Sequence, residues 1–268
     1  MAHRVTLSVR RNNADRLKAD LKKAQEAKKS VVRVFFAFRN LELSYYNDRF
    51  ALQKGDFVYV SGKLSGQLGV VTDVTHCFKI KLSDYERVIA VADTKIKGEF
   101  YNVGADFITF DSAALPYKKV LSWLKPPEFF SPEIVQGSEI RSFCIDDLSA
   151  MKVSAGTVER AKDCLDDGRI KYISVCKNQG RAIVVGREIY EIEFKMKNGR
   201  ISDLFCSCYE TDYCSHSVAA VFWLREVLDM IENNFKTEYE KSGCFSVVDR
   251  TLFLNFSVGY KEKSKIVL

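Results

Sequence analysis

Short apolar runs separated by glycines dominate the chain between residues 31 and 110. They are rich in β-branched and aromatic residues, and runs of this kind predict β-strands rather than helices. Their close spacing predicts a small antiparallel domain, either β-barrel-like or a β-sandwich. The predicted strands are VVRVFFAF (31–38), FVYVS (57–61), LGVVTDV (68–74), CFKIKL (77–82), RVIAVAD (87–93) and FITF (107–110).

The chain before these strands follows a helical pattern. Ala14, Leu17, Leu21 and Ala24 recur at intervals of three and four over residues 13–30, and this spacing predicts an amphipathic helix. Lys and Arg occupy its other faces, so its apolar stripe is thin. Two interpretations are open: a solvated helix docked by its two leucines, or an arm that binds nucleic acid.

The C-terminal half mixes helical and strand patterns. Apolar stripes predict helices at 157–165 and 217–234, because they follow the 3.6-residue period of a helix. Residues 189–196 alternate between apolar and charged, which predicts a strand with one buried face. Asn198-Gly199 follows and predicts a tight hairpin. The other predicted strands are 171–176, 181–185, 201–206, CFSVV (244–248) and TLFLNFSV (251–258).

All four prolines lie between residues 116 and 132. Proline interrupts helices and central strands, so this cluster indicates a connector between domains. We therefore expect a domain with the basic helix and the β-rich region over 1–113, a proline-containing linker over 114–133, and a second domain over 134–268. The fold class expected for the chain is α+β.

Composition and charge refine this picture. The 268 residues exceed the usual ~100–150 of one domain, and 47% apolar residues suffice for real cores. Of the net charge of +6, residues 1–33 hold ten basic and three acidic groups, a net +7. A polyanion would be attracted to that segment first. The candidate nucleic-acid-binding residues are Arg4, Arg10, Arg11, Arg16, Lys18, Lys22, Lys23, Lys28 and Lys29.

The eight cysteines are too dispersed for a small secreted disulfide scaffold. The sequence contains neither the apolar core of a signal peptide nor an apolar run long enough to span a bilayer. We therefore expect a cytoplasmic protein without a membrane partner, where thiols stay reduced and clustered cysteines favour a metal over a disulfide. The cysteines expected as core residues are Cys77, Cys144, Cys164, Cys176 and Cys244.

The remaining three cysteines lie in CSCYETDYCSH, residues 206–216. Alternate strand residues point the same way, so Cys206 and Cys208 can bind one ion together. A five-residue loop then lets Cys214 and His216 approach from the start of the next helix. Three thiolates and an imidazole form a closed tetrahedral set for zinc, without an open position for catalytic water. The spacing therefore predicts one structural Zn²⁺.

The segment from about 155 to 231 resembles the SWIM zinc finger, whose pattern is CxC, a variable gap and CxH between a β-meander and a helix. The likeness extends to CLDDGRI, the strand with Tyr190 and Glu191, the turn KNGR and CSHSVAAVFWL. It implies an α+β domain that binds DNA or protein, is not a catalyst, and in related proteins occurs beside helicase-like ATPases. Residues 52–74 also resemble the glycine-centred hairpin of SH3-like barrels of the KOW type.

Enzymatic chemistry has little support in the sequence. No phosphate-binding loop, zinc-protease, serine-hydrolase or dinucleotide-binding motif appears. His76 is the one histidine left for acid–base work, and its place beside an apolar strand is typical of a structural residue. The pairs Asp146-Asp147 and Asp166-Asp167 can hold a metal, but turns and caps use Asp routinely. We expect no catalytic activity and no small-molecule substrate.

The function expected from these features is zinc-dependent association with DNA or RNA. Residues 155–232 carry eleven basic and thirteen acidic groups, a net −2, so the N-terminal segment must supply the attraction for phosphate. The alternative is an adaptor that binds a separate helicase, ATPase or other enzyme. Tyr209 and Tyr213, in the ligand loop, are then candidate anchors, unless they pack against the sheet.

Overall fold

The computed structural model describes residues 29–96, 98–110, 115–127, 135 and 141–257, together with the backbone of 265–267. Most of the expected basic helix, and every candidate nucleic-acid-binding residue except Lys29, lie outside the described residues. The chain divides into two compact units, Met1–Asp93 with Lys125–Pro127, and Thr94–Leu124 with Glu128–Leu268. The units separate after residue 93, whereas the sequence analysis places the end of the first domain at 113.

The strands of the first unit are β1 Ser30–Phe36, β2 Leu41–Asn47, β3 Phe57–Val60, β4 Leu68–Thr75 and β5 Val88–Val91. They form an antiparallel sheet in the order β2-β1-β4-β3-β5. Its inward positions alternate with solvent-facing ones, so that Val32, Val34 and Phe36 are buried on one face of β1. The two edges of the sheet approach at a bridge between Tyr46 and Arg87, but the strands form no closed barrel.

One predicted strand of this unit is wrong. Residues 77–82 form no strand and lead into a 3-10 turn at Leu82–Asp84. The sheet instead contains β2, which pairs with β1 along the whole length of both strands. No continuous apolar run in the sequence indicates β2, because the polar residues Glu42 and Ser44 alternate with its leucines and its first four residues are exposed.

The strands of the second unit are β6 Glu99–Val103, β7 Phe107–Phe110, β8 Ser142–Cys144, β9 Ile170–Cys176, β10 Gln179–Val185, β11 Ile189–Lys197, β12 Arg200–Cys206, β13 Cys244–Asp249 and β14 Lys265–Val267. They form one sheet in the order β14-β6-β7-β13-β9-β10-β11-β12-β8. All its pairings are antiparallel except that of β14 with β6. The run FITF belongs to this sheet, since β7 pairs with β13.

The helices of the second unit are α1 Tyr117–Leu124, α2 Ala155–Asp166, α3 Ser215–Met230, α4 Lys236–Ser242 and α5 Arg250–Ser257, and a π-helical turn at Ile231–Phe235 follows α3. Ser154 caps α2 by accepting the N–H of Thr157 at 3.1 Å, as capping residues do. Helix α3 contributes most to the core, with Val218, Ala219, Ala220, Val221, Leu224 and Val227 buried. None of the helices in the described ranges is long and apolar enough to cross a bilayer.

Residues 251–257 of the segment 251–258, predicted as a strand, lie in helix α5, and residue 258 lies outside the described residues. Asp249 ends β13 and its carboxylate accepts the N–H of Leu252 at 2.7 Å, which caps the first turn of the helix. Leu252, Phe253 and Ser257 are buried on one side of that helix. An apolar run this short does not distinguish a buried helix from a strand, and the cap decides between them.

The hairpin prediction at Asn198-Gly199 is confirmed. Both residues have positive φ, 52° and 69°, as a type I′ turn requires. The turn joins β11 to β12 and sets the register that pairs Met196 with Ile201. The register then shifts by one residue between Glu193 and Lys195, so that Ile192 pairs with Cys206. The hairpin therefore delivers the first cysteine of the CxC motif at the end of a well-paired strand.

Packing across β10 and β11 leaves no room for a side chain at Gly180. A Cβ there would lie 1.9 Å from the ring of Phe194. We expect Gly180→Ala to lower the free energy of unfolding of the second unit by about 1–3 kcal/mol, because overpacking forces a buried ring to move. Urea unfolding followed by tryptophan fluorescence measures this, since Trp123 and Trp223 both lie in the second unit.

Gly156→Ala is the matched control. A Cβ at this position in α2 meets only Arg160, at 3.6 Å, and alanine is favoured over glycine in helices by about 0.5–1 kcal/mol. We therefore expect unchanged or slightly raised stability. Equal losses in the two variants would contradict the close approach of β10 to Phe194.

Candidate metal centre

The structure brings the four predicted zinc ligands together. The sulfurs of Cys206, Cys208 and Cys214 and a ring nitrogen of His216 all lie within 4.8 Å of one another. Cys214 Sγ is 3.7 Å from His216 Nδ1, close to the ligand–ligand separation of a tetrahedral site with bonds of about 2.0–2.3 Å. The donor set and its spacing therefore fit one zinc ion.

The CxC pair is held by an extension of strand pairing beyond the end of β12. The Ser207 N–H donates to the carbonyl of Glu191, and the Glu191 N–H donates to Ser207 Oγ, each at 2.9 Å. Two hydrogen bonds thus join Ser207 to Glu191 of β11. Cys206 and Cys208 flank this anchored residue, and alternate residues of an extended chain face the same way. The arrangement explains how two cysteines reach one ion.

The other two donors come from the start of α3. Cys214 is the N-cap residue, and its Sγ accepts the backbone N–H of Ser217 at 3.3 Å. His216 lies in the first turn of the same helix. The N-terminus of a helix carries partial positive charge, which stabilises a thiolate at the cap. The helix N-terminus therefore favours the thiolate form of Cys214, which is the form that binds a metal, even without an ion.

The thiol pKa values follow from this geometry. Hydrogen bonds from Cys206, and then from His216 and Ser217, lower the pKa of Cys214, although burial acts in the opposite direction. The hydrogen bond to Cys214, and then burial, raise the pKa of Cys206. Burial also raises the pKa of Cys208. Without a metal, one thiolate is thus stabilised by protonated neighbours, and a divalent cation would take the place of those protons.

An aromatic ring supports the histidine ligand. The ring of Tyr190, on β11, stacks on His216 with centroids 3.9 Å apart and planes 22° from parallel. A Cβ at Gly186 would lie 2.9 Å from the Tyr190 ring and 3.6 Å from His216 Nε2. The missing side chain at Gly186 thus leaves room for the stack. Sequence reasoning missed this role, because Tyr190 on β11 and His216 on α3 meet only through the packing of sheet against helix.

The other sequence candidates lie elsewhere. His76 is exposed, and its Nδ1 lies 3.3 Å from the carbonyl oxygen of Lys29. Asp147 caps the 3-10 turn Leu148–Met151. Tyr213 packs edge-on against Phe143 at 5.7 Å, whereas Tyr209 is 96% exposed. Of the two tyrosines in the ligand loop, Tyr209 is therefore the one that projects into solvent.

Of the five cysteines expected as reduced core residues, Cys164 alone is both free and buried. Cys164 is buried, but Cys77 is exposed and Cys144 is half-buried. Cys176 and Cys244 form a disulfide. These two cysteines lie directly opposite each other in the register of β9 and β13. A contact between residues so distant in the chain depends on sheet pairing, which local sequence patterns do not show.

Comparison with known proteins gave no match to the chain among protein-family models, curated proteins or solved structures. The likeness to SWIM zinc fingers therefore remains a prediction made from the motif. The proximity of the four donor atoms is independent of it, since it is a property of the fold.

We expect the purified full-length protein to contain one equivalent of zinc per chain. Cys208→Ser should reduce the zinc content to near zero, because a hydroxyl is a poor replacement for a thiolate in a closed four-ligand site. Cys77→Ser is the control, since Cys77 is exposed and is not in the cluster. Elemental analysis after purification without chelators measures both. Zinc retained equally by the two variants would contradict the ligand assignment.

Removal of the metal should also loosen the start of α3. Binding and folding are coupled at structural zinc sites, and α3 is the most buried helix of the second unit. A chelator should therefore lower the melting temperature followed by tryptophan fluorescence, and added zinc should restore it. If neither treatment changed the melting temperature, packing in the core alone would keep α3 folded without the ion.

Proposed function

We propose that this chain is a non-catalytic zinc-binding protein whose SWIM-type module mediates association with DNA or RNA. The observation that carries the proposal is the convergence of three cysteines and one histidine at the start of a buried helix. A zinc ion held by four protein ligands has no open position for a substrate. Such a site supports a recognition surface rather than a reaction.

The order of elements supports a SWIM-type domain. Helix α2 is followed by the meander β9 to β12, CxC lies at the end of β12, and CxH begins α3. In the first unit, the pairing of β3 with β4 and the approach of the two sheet edges are compatible with a KOW-like, barrel-like domain. Domains of this kind present loops and hairpin tips for binding.

Two features support association with nucleic acid: the basic charge of the N-terminal segment and exposed aromatic rings. The net charge of +7 over residues 1–33 would release counterions from a phosphate backbone. Tyr209 is 96% exposed in the ligand loop, and Phe38, beside Arg39 at the turn between β1 and β2, is 91% exposed. Exposed aromatic side chains stack on unpaired bases with about 1–3 kcal/mol per base. Single-stranded nucleic acid is therefore the preferred form of the target.

The electrostatic part is tested by the salt dependence of binding to labelled single-stranded and duplex oligonucleotides, measured by fluorescence anisotropy. Replacing Arg10, Arg11 and Arg16 with Gln should reduce the slope of log affinity against log salt by about 2–3, because each phosphate contact contributes roughly 0.7–0.9. The control replaces three exposed lysines of the second unit, Lys152, Lys197 and Lys241, with Gln. No binding at low salt would exclude nucleic acid as the target.

Tyr209→Ala separates the two candidate functions. If Tyr209 stacks on a base, the variant should lose about 1–3 kcal/mol of binding energy for single strands while it keeps its zinc. The second candidate is the adaptor for a separate helicase, ATPase or other enzyme, and the net −2 of residues 155–232 favours it. If Tyr209→Ala left the nucleic-acid affinity unchanged, we would instead assign the exposed ring to a surface that binds a protein partner.

A further inference from the structure

A disulfide encloses the part of the chain that carries the candidate metal centre. Cys176 and Cys244 are bonded, and their separation in the sequence is 68 residues. The loop between them contains strands β10 to β12 and helices α3 and α4. The four candidate metal ligands, which lie within 206–216, are therefore part of one covalent ring.

The register of the sheet places the two sulfurs side by side. Strand β9 ends at Cys176, and β13 begins at Cys244, directly opposite it. In the next pair outward, the Lys177 N–H donates to the carbonyl of Gly243 at 2.6 Å. Cys176 and Cys244 thus form a non-hydrogen-bonded pair, in which opposite side chains approach most closely. After reduction, the same strand pairing would keep both thiols in position to bond again.

The bond lies at the open end of this strand pair, where a thiol reagent can reach it. Both cysteines are half-buried, and Lys177, Lys241 and Ser242 beside them in the chain are exposed. Lys177 and Gly243 have left-handed backbone, with φ of 56° and 65°, so both strands end directly beside the bond. A neighbouring ammonium group stabilises a cysteine thiolate that leaves. Exposed disulfides are the ones that thiols reduce most readily.

The zinc-binding function proposed above, on which this inference rests, requires conditions in which thiols stay reduced. Zinc binds Cys206, Cys208 and Cys214 as thiolates, and oxidation of those sulfurs would destroy the site. A medium that preserves the site therefore contains thiol reductants, and the half-buried bond is accessible to them. The chain thus combines a metal site that needs reduced cysteines with a disulfide that thiols can break.

We propose that Cys176 and Cys244 form a reversible redox switch that controls how long the second unit retains a bound zinc ion. In the bonded form, the ring restricts the unfolded chain and lowers its conformational entropy, which favours the folded loop. Because metal binding and folding are coupled at such sites, the folded loop retains zinc longer. Reduction opens the ring and removes this stabilisation, and re-oxidation restores it.

The reaction is thiol–disulfide exchange with a low-molecular-weight thiol or a protein dithiol. A reagent thiolate attacks one sulfur and forms a mixed disulfide, while the other cysteine leaves as a thiolate and takes up the proton that the reagent released. A second reagent thiol then displaces the first cysteine in the same way. Two electrons pass to the protein, which gains two S–H groups, and the reagent leaves as its disulfide.

The redox equilibrium is measured on the full-length protein, without oxygen, in buffers that contain reduced and oxidised glutathione in varied ratios. Free thiols are trapped with N-ethylmaleimide, and mass spectrometry of the peptides that contain Cys176 and Cys244 gives the bonded fraction. We expect the bond to be lost as reduced glutathione rises and to form again when the ratio is reversed. A bond that survives reduced glutathione alone, or that never forms in oxidised glutathione, would overturn the switch.

Reduction should also lower the melting temperature of the second unit by about 5–10 °C, because the loop loses its cross-link. It should raise the rate of zinc transfer to a colorimetric chelator about tenfold, since the ion leaves through local unfolding. The matched control carries both Cys176→Ser and Cys244→Ser. Its melting temperature and zinc transfer should equal those of the reduced wild type in every buffer.

The double variant also reveals direct oxidation of the metal ligands, because that reaction would change both proteins alike. The redox titration and the melting temperature need no metal, so they test the switch even if the chain proves to bind no zinc. Equal responses of the wild type and the double variant to glutathione would overturn the proposal.

Discussion

The second unit depends on one turn of backbone at the start of helix Ser215–Met230. There the sulfur of Cys214 accepts the Ser217 N–H, His216 stacks on Tyr190, and from Ser217 onward the helix is buried against the sheet. The same few residues therefore satisfy the helix end, present two candidate metal ligands and begin the core. Because buried helices are close-packed against their neighbours, the position of this turn cannot adjust to the ion without disturbing the core.

Much of the second unit is predictable from local patterns. The meander from β9 to β12, the positive φ angles of Asn198 and Gly199, and the Ser154 cap of α2 follow from alternation, turn chemistry and capping. The failures are short apolar runs. Residues 251–258 contain the right residue types for a strand, yet the carboxylate of Asp249 starts a helix there. A single contact of this kind decides between two states that a short pattern leaves nearly equal.

The sequence by itself determined the four metal donors, because they lie within eleven residues and a strand end, a loop and a helix start bring them together locally. Tertiary structure alone decided the rest of the site's surroundings. The pairing of Cys176 with Cys244 and the stacking of Tyr190 on His216 both join residues far apart in the chain. Such contacts depend on sheet order and helix packing, which residue spacing does not encode.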